Sequence, residues 1–441
     1  MFEIKEKPKM VERALLVGVY ENRDEESQTS SLINELEELV GTLGVPVFAK
    51  ELVRVRKFNA KLLMGQGKAD EILGIVRALD LDVIVFDNEL SPAQQRNWER
   101  SAKVCVIDRQ EVILDIFGKR AQTKEARLQI DLARMIYSLP RLTRAWSHFG
   151  QQGGGIGTRG EGETQLELDR RIVRKQIDRL KSELAQVRKQ RQTQRQQRVR
   201  VPVPHAAIVG YTNAGKSSLL KRLTQADVLV EDKLFATLDT TTRKIELPNK
   251  QRLLLTDTVG FVRKLPHLLV EAFKATLEEA LTANFLIHVI DANQDDVFAI
   301  HRTTMEVLKE LGADEKETIT LFNKVDLVKD ANQLRELKIH FPDAHFISVH
   351  SGQGLDTFQD ELADLLSRST RTMELQIPHS RSDILAKLHR ESNVIKVDYD
   401  DTAIHAVAVV PYRITGHFEA YESTPSGDLS ELSAQVISKK S

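Results

Sequence analysis

The stretch of sequence that decides the fold is Gly210-Tyr-Thr-Asn-Ala-Gly-Lys-Ser217. It matches the pattern G-x-x-x-x-G-K-S, it follows the apolar run His205-Ala-Ala-Ile-Val, and residues 218–223 continue as a predicted helix. A glycine-rich turn between a strand and a helix allows backbone N–H groups to surround phosphate groups, and the helix N-terminus adds positive potential. The sequence therefore predicts a phosphate-binding P-loop rather than an ordinary turn.

Two side chains of this loop have distinct predicted roles. Lys216 is expected to reach the β- and γ-phosphates, and the Ser217 hydroxyl is expected to hold Mg²⁺. All eight residues of the loop are predicted to contact the nucleotide: Gly210, Tyr211, Thr212, Asn213, Ala214, Gly215, Lys216 and Ser217.

A second motif follows a predicted β-hairpin between residues 244 and 256. It consists of Asp257, Thr258, Val259 and Gly260. Asp257 is expected to hold Mg²⁺ through water, and the Gly260 N–H is expected to meet the γ-phosphate. We predict that Lys216 and Gly260 act on the reacting phosphate.

A threonine-rich stretch precedes that hairpin, and its first five residues are predicted to contact the nucleotide: Phe235, Ala236, Thr237, Leu238 and Asp239. Thr237 is our choice for the second hydroxyl that binds Mg²⁺. Residues 240–242 are also threonines, and the sequence alone leaves them as alternatives.

A buried strand at residues 318–322 leads into Asn323, Lys324, Val325 and Asp326. An aspartate here can accept hydrogen bonds from both guanine N1–H and the guanine amino group, a pattern that adenine does not offer. We expect Lys324 to cover the base and Asn323 to brace the neighbouring loops. After the next strand, the loop of Ser348, Val349 and His350 is expected to contact the guanine carbonyl.

The composition is compatible with several globular domains. The chain has 441 residues, a hydrophobic content of 41% and a net charge of −1. Cys105, its single cysteine, lies in an apolar run and is predicted to be a buried strand residue. No apolar stretch is long enough to span a bilayer. We therefore expect a cytoplasmic, monomeric protein with no stable transmembrane association, although peripheral contact with a membrane stays open.

Patterns of strands and helices divide the chain into four segments of an α/β protein. Residues 1–118 are predicted to form a small parallel α/β domain, and residues 119–200 a helical hairpin with a glycine-rich loop. Residues 201–370 are predicted to form the nucleotide-binding domain, and residues 371–441 a small α/β domain with a tail. The hairpin is expected to comprise helices at about 119–139 and 163–199.

The predicted hairpin is strongly basic. Residues 119–200 contain 20 Lys and Arg against 8 Asp and Glu, a net charge of +12. Such asymmetry indicates a surface that faces nucleic acid, with a solvated helical face as the plainer alternative. The glycine-rich loop at residues 149–163 is interpreted as a segment that orders on RNA, with a flexible linker as its alternative. The RNA-binding candidates are Gly157, Thr158, Arg159, Gly160, Arg170 and Arg171.

Together these motifs resemble those of the HflX family, in the wider Obg-like group of translational GTPases. The resemblance covers nearly the full chain, and its most specific parts are Ile156-Gly-Thr-Arg-Gly-Glu-Gly-Glu-Thr-Gln-Leu-Glu167 and Asp169-Arg-Arg171. It implies GTP hydrolysis, binding to the large ribosomal subunit and its rRNA, and GTP-dependent splitting of stalled or idle ribosomes. It implies that the N-terminal domain and the hairpin enter near the peptidyl-transferase centre. ATP binding by the N-terminal domain is also implied, although no convincing motif is visible.

Three positions bear on the mechanism. Phe261 occupies the place where many GTPases have a glutamine that orients water, so we expect slow intrinsic hydrolysis. His350 stands where lysine is commoner, which makes a side-chain contact with guanine less certain. Asn213 either helps to hold K⁺, as in related GTPases, or simply suits a left-handed turn.

Two other classes of function compete with the ribosomal one. A signalling GTP switch that acts through protein or membrane binding would use the hairpin as a coiled-coil module. That class needs neither a glycine-rich loop nor a basic segment. An RNA-modifying enzyme is less favoured, since the sequence shows no second catalytic constellation.

Overall fold

The computed structural model describes residues 12–142, 161–198, 203–224, 235, 240–249, 251–264, 279–294, 296–368 and 370–423, with the backbone alone at 161–166, 188, 190–198 and 413. The N-terminal unit alternates strands and helices: β1 Ala14–Tyr20, α1 Glu25–Thr42, β2 Val47–Arg54, α2 Gln66–Ala78, β3 Val83–Phe86, α3 Pro92–Ala102 and β4 Cys105–Asp108. Its strands pair in parallel in the order β2-β1-β3-β4. Every residue of β1 is buried, because helices cover both faces of a parallel sheet. The α/β fold is therefore as predicted.

The prediction for Cys105 is wrong in one respect. Cys105 belongs to strand β4, as the apolar run indicates, but it is the first residue of that strand and is exposed. Burial begins one residue later, at Val106. An apolar run predicts the strand but does not fix where the sheet begins to be covered.

The first hairpin helix begins later than predicted. Helix α4 (Arg109–Arg120) ends, and a separate helix α5 (Lys124–Ser138) begins after Ala121 adopts an extended conformation. The hydroxyl of Thr123 accepts a hydrogen bond from the Ala126 backbone N–H at 3.2 Å and caps α5. Residues 119 and 120 therefore belong to α4, and the predicted boundary at 118 falls inside that helix.

Helix α6 (Glu161–Arg198) agrees closely with the long helix expected at 163–199. Its buried positions include Ile177, Leu180 and Leu184. Leu180 and Leu184 pack with Leu128 of α5. The pairing of the two helices is therefore confirmed.

The nucleotide-binding domain follows: β5 His205–Gly210, α7 Lys216–Thr224, β6 Thr241–Glu246, β7 Arg252–Asp257, β8 Phe285–Asp291, α8 Val297–Leu311, β9 Thr318–Asn323, α9 Ala331–His340, β10 His345–Phe346 and α10 Leu355–Arg368. The sheet order is β10-β9-β8-β5-β7-β6. Strand β6 pairs antiparallel with β7, as the predicted hairpin requires. The parallel strands bring their carboxyl ends to one edge of the sheet, where ligands bind in open α/β folds.

The C-terminal unit contains β11 Thr370–Pro378, α11 Ser382–Glu391, β12 Asn393–Tyr399 and β13 Ala403–Pro411. Its strands form an antiparallel sheet in the order β11-β13-β12. This agrees with the small α/β appendage expected from the sequence. Across the described residues, we find no helix whose length and apolar character would allow it to cross a membrane.

Candidate active site

The phosphate loop joins β5 to α7, and two of its glycines are required by its backbone. Gly210 has a φ of +142°, and a Cβ there would lie 2.1 Å from the Val289 carbonyl oxygen. Gly215 has a φ of +96°, and a Cβ there would lie 2.3 Å from Asn323 Nδ2. Since side chains cannot be accommodated at either position, glycine is needed where the motif has it.

Lys216 is buried beneath this loop. Its Nζ donates a hydrogen bond to the Tyr211 carbonyl oxygen at 2.7 Å. Burial lowers the pKa of Lys216 to about 8, against an opposing effect of the Asp257 carboxylate. A phosphate group would both replace the carbonyl as acceptor and stabilise the charged form of the lysine.

The P-loop and the motif of residues 257–260, called the D-x-x-G motif below, meet at the predicted metal-binding residues. The Ser217 hydroxyl donates to Asp257 Oδ2 at 2.6 Å. Thr258 donates through its hydroxyl to the Ile208 carbonyl oxygen at 2.7 Å, which fixes the motif against β5. Strand pairing between β5 and β7 therefore brings together two oxygen ligands that are 40 residues apart in the chain.

The end of the D-x-x-G motif lies directly on the phosphate loop. The Phe261 N–H donates to the Gly210 carbonyl oxygen at 3.0 Å, and the Thr212 N–H donates to the Phe261 carbonyl oxygen at 2.8 Å. A Cβ on Gly260 would lie 2.8 Å from Thr212 Cα and 2.9 Å from Lys216 Nζ. The predicted catalytic residues Lys216 and Gly260 therefore lie close together, and the side chain of the next residue, Phe261, is buried.

The loops predicted to bind the base are braced by Asn323. Its Nδ2 donates to the Ala214 carbonyl oxygen at 2.9 Å, and its Oδ1 accepts from the Val349 N–H at 3.0 Å. Ser348 is buried, and its hydroxyl accepts from the Ser351 N–H at 3.1 Å. Bracing of the neighbouring loops by Asn323 is the role that the motif predicts.

The remaining residues that are predicted to bind the base differ in their exposure. Lys324 has a φ of +61°, and its Nζ forms an ion pair with Asp291 at 2.8 Å. Val325 is buried, whereas Asp326 and His350 are exposed. Asp291 belongs to none of the predicted motifs, although its position at the end of buried strand β8, on the ligand-binding edge, is a usable signal.

Several other predicted residues can now be placed. Asn213 has a φ of +60° and an exposed side chain. The Phe235 side chain packs edge-to-face against Phe117 of α4, with ring centroids 4.4 Å apart, so its ring contacts the N-terminal unit. Val259 is buried, and the buried Thr212 hydroxyl has no hydrogen-bond partner among the residues that the structure describes.

Some predictions fall outside the described residues: Ala236, Thr237, Leu238, Asp239, Gly157, Thr158, Arg159 and Gly160. Arg170 and Arg171 lie on helix α6, where Arg171 is exposed.

Comparison with known proteins gives a consistent result along the chain. Residues 30–118 match the family described as GTP-binding GTPase N-terminal, and residues 120–198 match GTP-binding GTPase Middle Region. Residues 205–324 match the family described as 50S ribosome-binding GTPase. These three regions follow the N-terminal unit, the paired helices and the nucleotide-binding domain.

Curated relatives are similar over nearly the whole length. The GTPase HflX of Akkermansia muciniphila is 49% identical over 435 residues, which is 96% of this chain and 99% of that protein. The GTPase HflX of Lacrimispora saccharolytica is 43% identical over 93% of this chain and 96% of its own. The GTPase HflX of Escherichia coli is 40% identical over 86% of this chain and 88% of its own. The chain therefore belongs to the HflX family and is a P-loop GTPase that binds and hydrolyses GTP.

Proposed function

We propose that this GTPase binds the large ribosomal subunit and uses GTP to split stalled or idle ribosomes. The observation that carries the proposal is the basic outer face of α6. Arg171, Arg174, Lys175, Arg179 and Lys181 are exposed on this helix. Leu180 and Leu184 of this helix pack against Leu128 of α5, so the charged residues on the exposed side of the helix are available to phosphate groups. Exposed arginine and lysine side chains on one rigid element are typical of RNA-binding surfaces.

The family match supports the same partner. The description 50S ribosome-binding GTPase covers residues 205–324, which include the P-loop. Helix α6 is joined directly to that domain, so the basic face and the nucleotide site belong to adjacent parts of the chain. We therefore propose that the hairpin and the N-terminal unit contact rRNA while the nucleotide state of the GTPase domain controls the complex. This role implies a cytoplasmic protein that acts as a monomer.

We propose Mg²⁺ as the metal of the reaction. Ser217 Oγ and Asp257 Oδ2 are hard oxygen ligands only 2.6 Å apart, which suits Mg²⁺ bound by one hydroxyl and by water held on a carboxylate. Thr237 stays our prediction for the second hydroxyl. The metal would neutralise charge on the β- and γ-phosphates, while Lys216 and the Gly260 N–H contact the same groups.

A role for K⁺ at Asn213 is a narrower proposal. The φ of +60° is what a turn requires, and the exposed amide beside the phosphate loop is also what a cation ligand requires. Hydrolysis rates in matched potassium and sodium salts separate the two roles. If the rates in potassium and in sodium are identical, both in the wild type and in Asn213→Ala, then Asn213 serves only the turn conformation and does not bind K⁺.

GTP hydrolysis with and without purified large subunits tests the ribosomal role. At fixed salt, we expect stimulation of at least about tenfold. Deletion of residues 150–162, or the double substitution Arg174→Glu and Lys175→Glu, is expected to remove most of the stimulation and to leave intrinsic hydrolysis unchanged. Lys309→Glu, an exposed charge reversal on α8, is the matched control and is expected to retain it.

A second readout addresses splitting itself. Sedimentation of 70S particles with the protein and GTP should show conversion to subunits, and the α6 double variant should not produce it. Tight GTP binding with no response to ribosomes would reject the proposal and favour a GTP switch that acts through protein or membrane binding. ATP binding by the N-terminal unit stays a prediction from the family resemblance.

A further inference from the structure

A group of charged residues joins the N-terminal unit to the segment that follows the D-x-x-G motif. We call it the interdomain ion cluster, and it consists of Glu35, Asp87, Arg109, Arg263 and Lys264. Glu35, Asp87 and Arg109 are buried, whereas Arg263 is partly buried and Lys264 is exposed. Charged groups this deeply buried are costly unless they are paired with good geometry, so the cluster specifies one relative position of the segments that it joins.

Arg109, the first residue of α4, organises the N-terminal side of the cluster. Its Nε donates to Asp87 Oδ1 at 2.7 Å, and its NH1 donates to Glu35 Oε1 at 3.0 Å. A third bond runs from NH2 to the Leu32 carbonyl oxygen at 2.6 Å. The guanidinium thus fixes both carboxylates and leaves the second oxygen of each directed at the GTPase domain.

The GTPase domain supplies two cations to those second oxygens. Arg263 Nε donates to Glu35 Oε2 at 2.8 Å, and Lys264 Nζ donates to Asp87 Oδ2 at 2.5 Å. Arg263 also donates through NH2 to the Ser31 hydroxyl at 2.9 Å. Residues 263 and 264 are therefore held by α1 and by the end of β3.

The same short segment is bonded to the phosphate loop through its backbone. The Arg263 N–H donates to the Tyr211 hydroxyl at 2.6 Å. Burial and the negative charge of Glu35 raise the pKa of Tyr211. Through Arg263, the Glu35 carboxylate of the N-terminal unit is thus linked to the second residue of the P-loop.

This position of the segment bears on which nucleotide fits. A γ-phosphate is expected to lie between Lys216 and the Gly260 N–H. Here Gly260 is packed closely against the P-loop, since a Cβ built on it would lie 2.8 Å from Thr212 Cα and 2.9 Å from Lys216 Nζ. Because this packing leaves no room even for a Cβ, we expect a γ-phosphate that reaches the Gly260 N–H to displace the segment that Glu35 and Asp87 hold, whereas GDP has no γ-phosphate and makes no such demand.

We infer that Glu35 is a positioning residue of the GTPase site, which acts through Arg263 to favour GDP over GTP. Coupling between two sites is reciprocal, so GTP binding in turn weakens the contact between Glu35 of the N-terminal unit and Arg263 of the GTPase domain. The inference rests on guanine-nucleotide binding alone and does not depend on the ribosomal proposal.

The test compares the affinities of the full-length protein for GDP and for a non-hydrolysable GTP analogue, measured by fluorescence titration without ribosomes. In Glu35→Gln, we expect affinity for the GTP analogue to rise about fivefold or more while affinity for GDP changes less than twofold. Arg263→Gln, which leaves the Glu35–Arg109 pair intact, should produce the same shift. Combining the two substitutions should add little, because both remove one interaction.

Glu37→Gln is the matched control, since Glu37 lies on the same helix and pairs with Lys50 within the N-terminal unit. It should leave both affinities unchanged. Unchanged affinities in Glu35→Gln and Arg263→Gln would overturn the inference. Equal losses for both nucleotides would also overturn it, because they would show that the cluster only maintains the fold.

Discussion

Asn323 Nδ2 lies 2.9 Å from the carbonyl oxygen of Ala214, so the residue that begins the predicted base-binding motif is bonded to the phosphate loop. Its Oδ1 accepts from the Val349 N–H, so the same side chain also fixes the 348–350 loop. The two ends of the nucleotide site are thus connected through one amide. Loss of this amide should therefore disturb both ends together.

For Asn323→Ala, we expect affinity for GDP to fall by about 30- to 100-fold, because two buried hydrogen bonds are lost and their partners are left unpaired. Titration with a fluorescent GDP derivative measures the change. Asn249→Ala is the control, since the Asn249 amide bonds to Ala363 in another part of the domain. An unchanged dissociation constant for Asn323→Ala would show that the amide does not order the site.

The Asp326 prediction concerns the choice of base. Asp326→Asn keeps one oxygen that can accept from the guanine N1–H but replaces the acceptor opposite the guanine amino group by an NH₂ donor, and we expect affinity for GTP to fall about 100-fold. Affinity for xanthosine triphosphate, which carries an oxygen in place of the guanine amino group, should rise. Competition binding measures both, with the exposed Asp343→Asn as control. Retained preference for GTP would place base recognition elsewhere.

The pH dependence of nucleotide binding follows from Lys216. Burial lowers its pKa to about 8 in the protein without nucleotide, and bound phosphate favours the charged lysine, so binding takes up a proton as the pH rises through that value. We expect affinity for GDP to fall about fourfold between pH 7.0 and 8.5. Calorimetry in two buffers with different ionisation enthalpies should show the proton uptake. Binding that is independent of pH and of buffer would contradict this assignment.

The burial of His288 predicts that the free energy of unfolding decreases in acid. Burial lowers the pKa of His288 to about 3, from a usual value of 6.5, with a further lowering by His301. The unfolded chain therefore binds an additional proton below pH 6.5, and stability should be lost as the pH falls. The expected loss between pH 7.5 and 5.5 is about 1.4 kcal/mol.

Urea unfolding at these two pH values measures that loss. His288→Leu should reduce the pH-dependent difference by this amount, and the exposed His389→Gln should retain it. An identical pH dependence in His288→Leu and in the wild type would show that His288 is not the group responsible.

Much of the site could be predicted from local sequence. The glycines at 210 and 215 are required by the backbone conformation. The motifs at 257–260 and 323–326 follow apolar strands that are evident in the sequence. Parallel pairing then requires these strand ends to share one edge, so their convergence is also predictable. The predicted start of α5 is wrong because a single capping threonine, Thr123, decides where that helix begins. The predicted burial of Cys105 is wrong because burial depends on which residues pack over that end of the strand.

The sequence by itself determined the α/β fold, the paired helices and the chemistry of the phosphate and base motifs, because these depend on local periodicity and on residues close together in the chain. Only the tertiary structure placed Glu35 beside Arg263, which lies 228 residues away. No pattern marks such a pair, since each residue reads alone as a charged surface position. Burial between two units of the chain gives their interaction its strength and couples the N-terminal unit to the GTPase site.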